Sequence, residues 1–599
     1  MRLLVIAALV ACGLFGQAAS SLYSRGYTLI PEPQRIEMRG GDFEFGDSWH
    51  IGPLNGVKPD DVAIETLKEE LAARHGLRLA GREPGKAIAF EIRANSVEIG
   101  KAIDPDRAAL AEQAYRLQLA PSGVRITANA AAGLFYGVET LVQLVKHERG
   151  RLFLPEGEIV DWPDVGYREV FWDEQEHLDH FDVLKQAVRR AAFFKANAIS
   201  LRLNEYFEYA AAPALVAPHA MTAAQLQELT DYGLRYHLQI VPYLDAPAHA
   251  NFILSHDEYK PLREYPNMAF EMCSTNPETF KLLEGMFQNL IDATKGSKYF
   301  HLSTDEAWFV GTADHEGCRE APRARELGSP SKLLAEFIGK TTGYLQKQGR
   351  KVIFWGEHPL QSEDIALLPR GLINGEVYGP IYNEAFRKQG IRQMIYTNSQ
   401  PNDPLFPAYS VLSPHEQVHP RRTEERATSV FNEISFSAAR GQTEIAGVDI
   451  YAWGDAGPHP ETFWLGYAVG LSAAWRPGSP DPKELAHSFY RLYYGRGTSA
   501  MDRLYQLMST QAQFYGSSWD REPAGNEPLI FGYSYGIGPF TPQHSVLALP
   551  PVPEGAFLRL RGDSGRENAR RTELAWKFLG ENDELLNLLY RNLPSVEFN

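Results

Sequence analysis

The sequence predicts an α/β protein built around a (β/α)8 barrel, preceded by a small α+β domain and followed by a mostly helical region. Three observations carry that reading. The chain has 599 residues, too many for one hydrophobic core, so several domains are expected. Between residues 165 and 478, eight short apolar runs alternate with longer amphipathic segments, the rhythm of parallel strands joined by helices. Nearly every run also ends on a polar or charged residue, as barrel strands do where they feed a functional face.

Taken in order, residues 1–20 read "MRLLVIAALVACGLFGQAAS": one Arg, an apolar stretch, then small residues. This is the pattern of a cleaved export signal, too short and wrongly flanked to span a membrane. "LVAC", ending at Cys12, also fits a lipoprotein cleavage box, so periplasmic or extracellular release and anchoring at Cys12 both stay open. Residues 22–161 are mixed: "KAIAFEIR" and "YRLQLAPSGVRITA" alternate like strands, and "AAAGLFYGVETLVQLVK" has helical spacing.

The barrel strands are expected at "YREVFWD", "AISLRLN", "LQIVPYLD", "KYFHLSTDE", "KVIFWGE", "GLINGEVYG", "IRQMIYTNS" and "AGVDIYAWGD". Thr222 is placed to cap the helix of "TAAQLQELTDYGLRYH". The Pro-rich stretch from Gln400 to Thr428 reads as an elaborated loop, and residues 479–599 as helices on the barrel flank.

Composition narrows the partner. A net charge of −16 argues against nucleic acid and anionic membranes, which need basic patches. Aromatics make up 12% of the chain, which suits stacking on flat apolar ligand faces. Cys273 and Cys318 lie outside the leader and form no CxxC, so a structural zinc is not expected; they are either one disulfide or two unpaired small hydrophobes. No cofactor, metal or transmembrane segment is implied beyond the leader.

The strand ends carry Asp173, Asn204 with Glu205, Asp245, Asp305 with Glu306, Glu357, Asn398 and Asp455. Adjacent acids at the end of a buried strand repel each other and resist desolvation, so Asp305 and Glu306 are the candidates for chemistry. Glycoside cleavage needs such a division, with one acid to protonate the leaving oxygen and another group to steady positive charge at the anomeric carbon.

Here the residues resemble a family. "HLSTDE" is similar to the His-x-Gly-Gly-Asp-Glu signature of family 20 glycoside hydrolases, the β-N-acetylhexosaminidases. "GYREVFWD" resembles the family's Arg-Gly-x-x-x-Asp strand, and "VPYLDAPAHA" its Pro-Glu-x-Asp-x-Pro-Gly-His strand. "AYRLQLAPSGVRITANAAAGLFYGVETLVQL" is similar to the end of its small N-terminal domain, so the likeness runs over about residues 25–480.

The resemblance implies release of terminal N-acetylhexosamine from an oligosaccharide or glycoconjugate, with retention. The substrate's 2-acetamido oxygen would attack and form an oxazolinium ring. Asp305 would orient the acetamido group, and Glu306 would be general acid and then base, kept protonated by the charge of Asp305 and by burial. Asp173 and His249 would relay behind Glu306. Trp355, Tyr378 and Trp453 would line the sugar pocket, Tyr396 would bind the acetamido oxygen, and Arg168 and Asp455 would bind hydroxyls.

Some positions depart from the family pattern: Ser303-Thr304 replace Gly-Gly, Tyr243 stands where Glu is usual, Ala248 replaces Gly, and "LRLNEYFEY" replaces His-x-x-Asp-Asp. Two alternatives follow. One is a barrel that binds carbohydrate without cleaving it. The other is a glycosidase for sugars lacking the acetamido group, which needs a nucleophile about 5 Å from the acid, with Glu357 as the candidate.

Overall fold

The computed structural model describes residues 21–83, 85–175, 178–376, 379–399, 426–454, 460–495, 500–518 and 564–595. Residues 1–20, where the export signal and Cys12 are expected, and most of the Pro-rich stretch (400–425) lie outside the described residues.

The small domain holds strands β1 (Arg35–Phe45), β2 (His50–Asn55), β3 (Ala87–Ile92), β4 (Tyr115–Ala120), β5 (Gly123–Ala128), β6 (Lys146–Glu148) and β7 (Arg151–Asp161). They form one sheet in the order β1-β7-β4-β5-β3-β2, with β6 on β7. The alternation in "YRLQLAPSGVRITA" becomes the antiparallel β4–β5 pair, with Leu117 opposite Ile126. Its apolar side, with Tyr115, Leu117 and Leu119 buried, packs under the helix Ala131–Gln143.

Eight parallel strands then close a barrel: β8 (Arg168–Asp173), β9 (Ala198–Arg202), β10 (Gln239–Asp245), β11 (Tyr299–Ser303), β12 (Lys351–Phe354), β13 (Ile373–Asn374), β14 (Arg392–Asn398) and β15 (Ile445–Tyr451). All eight expected runs contribute a strand, although "GLINGEVYG" supplies only two residues. Between β9 and β10, Thr222 and Gln225 form a reciprocal capping box that opens the helix Ala223–Arg235. The helices Pro482–Tyr494, Met501–Ser518 and Ser564–Asn592 follow the barrel.

The barrel is filled in layers, as parallel barrels of this size are. Near the N-terminal end lie Tyr167, Ala198, Val241, Ile353, Met394 and Ala446. Towards the C-terminal end lies an aromatic layer of Phe171, Tyr243, Trp355 and Tyr451, with Tyr396 and Trp453 packed on it. His301 stands beside that layer, stacked on Tyr243 at 4.5 Å and 9°. Burial depresses its imidazole to about 3, so it is neutral. Its Nε2 accepts the indole N–H of Trp355 at 2.9 Å.

The two domains meet around buried cations. Lys195, which follows the first barrel helix, donates to Asp161 at the end of β7 (3.1 Å) and to the Tyr115 hydroxyl (2.9 Å). Trp475 donates to the other oxygen of Asp161 at 2.8 Å. Arg168 donates to the carbonyls of Lys195, Val165 and Gly166 and, at 2.8 Å, to Gln113 of the small domain. Its guanidinium lies 4.8 Å over the Trp475 ring.

Candidate active site

The ends of seven strands, β8 to β12, β14 and β15, build the site. β11 ends at Ser303, and the chain continues through Thr304 to Asp305 and Glu306. The Thr304 hydroxyl donates to the Trp355 carbonyl and accepts the Trp355 N–H at 3.1 Å, stapling the ends of β11 and β12 together. The bulk added where the family pattern has Gly therefore closes a gap between strands. Glu357, two residues beyond Trp355, is thereby held beside the acid pair: its Oε1 accepts the Glu306 N–H at 2.8 Å, and its carboxyl hydrogen-bonds that of Asp305.

Glu306 sits at φ 47° and His249 at φ 53°, left-handed conformations that cost L-residues energy and gather at functional sites. That backbone turns the two side chains towards each other. His249 Nε2 lies 3.2 Å from Glu306 Oε2 and 3.6 Å from Asp305 Oδ2, with the imidazole edge against the Phe270 ring. The His249 contact is the main cause that holds the Glu306 carboxyl below its ordinary value, and the Trp308 side chain adds a hydrogen bond. Asp305 is driven the other way, well above the ordinary range, first by burial and then by Glu357. This corrects the expectation that Asp305 is ionised and keeps Glu306 protonated. In the free protein, burial and the Glu357 carboxyl arriving from β12 act on Asp305 more strongly than its neighbour in sequence.

Asp173, at the end of β8, accepts N–H groups from Gln175 (3.1 Å) and Gly454 (3.1 Å) and lies 3.8 Å from Arg202 Nη1. Arg202 Nη2 is 2.8 Å from Asp245 Oδ2. The structure brings three of the expected aromatic residues, Trp355, Tyr396 and Trp453, together. Trp355 is edge-on to Tyr396 at 5.2 Å, and Trp453 donates its indole N–H to the Tyr396 hydroxyl at 3.1 Å. Trp308, 44% exposed, lies against His358 at the rim beside Glu306. Tyr378 and Asp455 lie outside the described residues.

Arg168 is corrected. It is the first residue of β8 while Asp173 is the last, so the two occupy opposite ends of the barrel. Its guanidinium is fully buried in the junction with the small domain and does not reach the mouth. The arginine at the mouth is Arg202, which the sequence reading noted only as a departure from the family pattern. Its position at the end of β9 was the available signal.

A support layer lies under the segment that carries the acids. Glu271 accepts the Phe309 N–H at 3.0 Å, Glu320 accepts those of Gly311 (2.6 Å) and Ser274 (2.5 Å), and Glu264 accepts the Thr312 hydroxyl at 3.2 Å. All three carboxyls are buried, and all are raised: Glu264 to about 11 by burial and the charges of Glu271 and Glu320. Cys273 and Cys318 form a disulfide across this layer, which decides between the two readings of those residues.

Residues 26–162 match the family model "Glycosyl hydrolase family 20, domain 2", and residues 167–378 match "Glycosyl hydrolase family 20, catalytic domain". The chain belongs to glycosyl hydrolase family 20. Among its relatives, the family 20 chain is 25% identical over 371 residues to a β-hexosaminidase of Porphyromonas gingivalis, covering 56% of this chain and 46% of that one. It is 27% identical over 323 residues to a β-N-acetylhexosaminidase of Cellulomonas fimi, covering 50% and 60%. The chain thus spans about half the length of these relatives. Among solved structures, an exo-β-N-acetylglucosaminidase of Vibrio harveyi superposes with a TM-score of 0.60 at 16% identity, covering 78% of this chain and 76% of that one. A chitobiase of Flavobacterium johnsoniae superposes with a TM-score of 0.59 at 18% identity, covering 84% and 76%. These likenesses show a shared fold.

Proposed function

We propose that the protein is an exported β-N-acetylhexosaminidase that removes terminal β-linked N-acetylhexosamine from an oligosaccharide or glycoconjugate, with retention. The observation that carries this reading is the pair Asp305–Glu306 at the end of β11, with His249 on Glu306 and the wall of Trp355, Tyr396 and Trp453 alongside. The named hexosaminidases among its relatives support the same substrate class. The leader at residues 1–20 supports export to the periplasm or the extracellular space, and no helix among the described residues is long and apolar enough to cross a membrane.

The reaction divides between the acids. Asp305 accepts the acetamido N–H and turns the amide so that its oxygen attacks the anomeric carbon. The positive charge of the forming oxazolinium lowers the Asp305 carboxyl again, so that it meets the ring as a carboxylate and offsets that charge. Glu306 gives its proton to the departing glycosidic oxygen, then takes one from the water that opens the ring. A bound sugar excludes water from Glu306, and that desolvation raises its carboxyl towards the value a general acid needs. The pyranose lies on the indole faces, and the acetamido methyl fills the dry space between them.

Glu357 as nucleophile for sugars without an acetamido group is disfavoured, because its carboxyl is engaged by the Glu306 N–H and by Asp305. Aryl glycosides differing only at C2 and C4 test the proposal. Hydrolysis confined to 2-acetamido sugars, inhibition by an oxazoline mimic, and loss of nearly all turnover in Glu306→Gln are expected. Equal rates on the 2-hydroxy analogue would discard it.

A further inference from the structure

We propose that Glu271 is a positioning residue for the general acid: its buried carboxyl ties the segment that holds His249 to the turn that carries Glu306, and so sets the contact between those two side chains. The role of Glu306 as acid rests on the hexosaminidase reading; the tie itself does not.

The segment 270–273 grips His249 from both sides. The Met272 N–H donates to the Pro247 carbonyl at 2.8 Å, and the Ala250 N–H donates to the Phe270 carbonyl at 3.0 Å. The His249 ring meets the Phe270 ring edge-on at 4.9 Å. The same segment is braced from behind. The Glu264 N–H donates to the Glu271 carbonyl at 2.9 Å and the Cys273 N–H to the Leu262 carbonyl at 2.8 Å, around an antiparallel bridge between Arg263 and Met272.

Glu271 stands between the two gripping residues and is fully buried. Its Oε2 accepts the Phe309 N–H at 3.0 Å, three residues beyond Glu306. Between them the Trp308 N–H donates to the Glu306 carbonyl at 2.7 Å and closes a tight turn, so the position of Phe309 is passed to the acid over a short, stiff stretch. Glu320 makes a parallel tie between the Ser274 and Gly311 N–H groups, farther from the acid. A buried carboxyl is costly, and an apolar side chain would pack at less expense. What the acid adds is an acceptor that joins two segments. His249 and Glu306 are both left-handed, a conformation that persists only where the surroundings over-determine it. Their contact is 3.2 Å, so a shift of either segment by about 1 Å would break it.

Glu271→Leu keeps the bulk and removes the acceptor. On an aryl N-acetylglucosaminide, kcat should fall roughly 30-fold with KM within about twofold, because the aromatic wall that holds the sugar comes from β12, β14 and β15. Glu271→Gln, whose amide oxygen accepts the same N–H, should bring kcat back to within about threefold of the wild type. In a His249→Ala background, Glu271→Leu should cost less than about threefold more, since the contact it sets is already gone. Full additivity of the two changes overturns the proposal, as does a wild-type kcat in a Glu271→Leu protein that is merely less stable. If Glu271→Leu does not fold, Glu271→Asp withdraws the carboxyl by one methylene and should lose about tenfold in kcat; an unchanged kcat there overturns the proposal. Crystal structures give a readout free of turnover. The His249–Glu306 contact should open from 3.2 Å to beyond about 3.5 Å in whichever of these variants folds, and a retained contact overturns the proposal. If the wild type hydrolyses no hexosaminide, the functional reading fails while that distance still decides the inference.

Discussion

Arg202 and Asp245 form a buried ion pair of 2.8 Å across the ends of β9 and β10, with Asp173 of β8 within 3.8 Å of the same guanidinium. One cation therefore serves acids from two other strands on the floor of the site.

Removing that cation strands buried charge. Arg202→Met should cost about 3–5 kcal/mol of stability, the usual penalty for breaking a buried pair from one side. Urea unfolding of the single variant and of Arg202→Met with Asp245→Leu checks this, with the double variant recovering most of the loss. An unchanged midpoint in the single variant would mean that the pair is solvated.

The glutamate layer under the acids makes an unusual pH dependence. A carboxyl raised in the folded state favours folding below its unfolded value and loses that contribution as pH climbs towards the folded value. Glu264, raised to about 11, therefore weakens the protein from roughly pH 5 upwards by at most about 1.4 kcal/mol per pH unit. Glu264→Gln should flatten the fall in thermal midpoint between about pH 5 and 9 and be the more stable protein at the alkaline end. Parallel midpoint curves for the two proteins would show that Glu264 does not titrate in this way.

Reduction of the Cys273–Cys318 disulfide opens a loop of 45 residues that encloses β11 and both acids. Loop-closure entropy assigns such a bridge about 4 kcal/mol. Thermal midpoints with and without reductant should differ accordingly, and Cys273→Ala with Cys318→Ala should show the lower midpoint in either buffer.

The barrel was legible because eight apolar runs each reach an interior, and a period of alternating strand and helix needs only local chemistry. Arg168 was misplaced by motif resemblance, although strand arithmetic decides it. Five residues at about 3.3 Å each put Arg168 and Asp173 roughly 16 Å apart, so both cannot sit at the mouth. The upward push on Asp305 was not legible, because it comes in part from Glu357, 51 residues after Glu306 and brought alongside only by the pairing of β11 with β12. The role of Thr304 was hidden for the same reason. A side chain read as bulk under the acids proves to be a tie whose partner lies on another strand.

The junction around Lys195 and Arg168 has a consequence for how such chains can be cut and recombined. Asp161 and Gln113 come from the small domain, yet they complete the coordination of cations rooted in the barrel. Severing the chain between residues 161 and 167 and discarding the first part would strip Lys195 of its counter-ion and bare to water the aromatic surface packed around it. The leading segment is thus a structural part of the barrel's flank, and an expression fragment that keeps this junction has to begin upstream of Gln113.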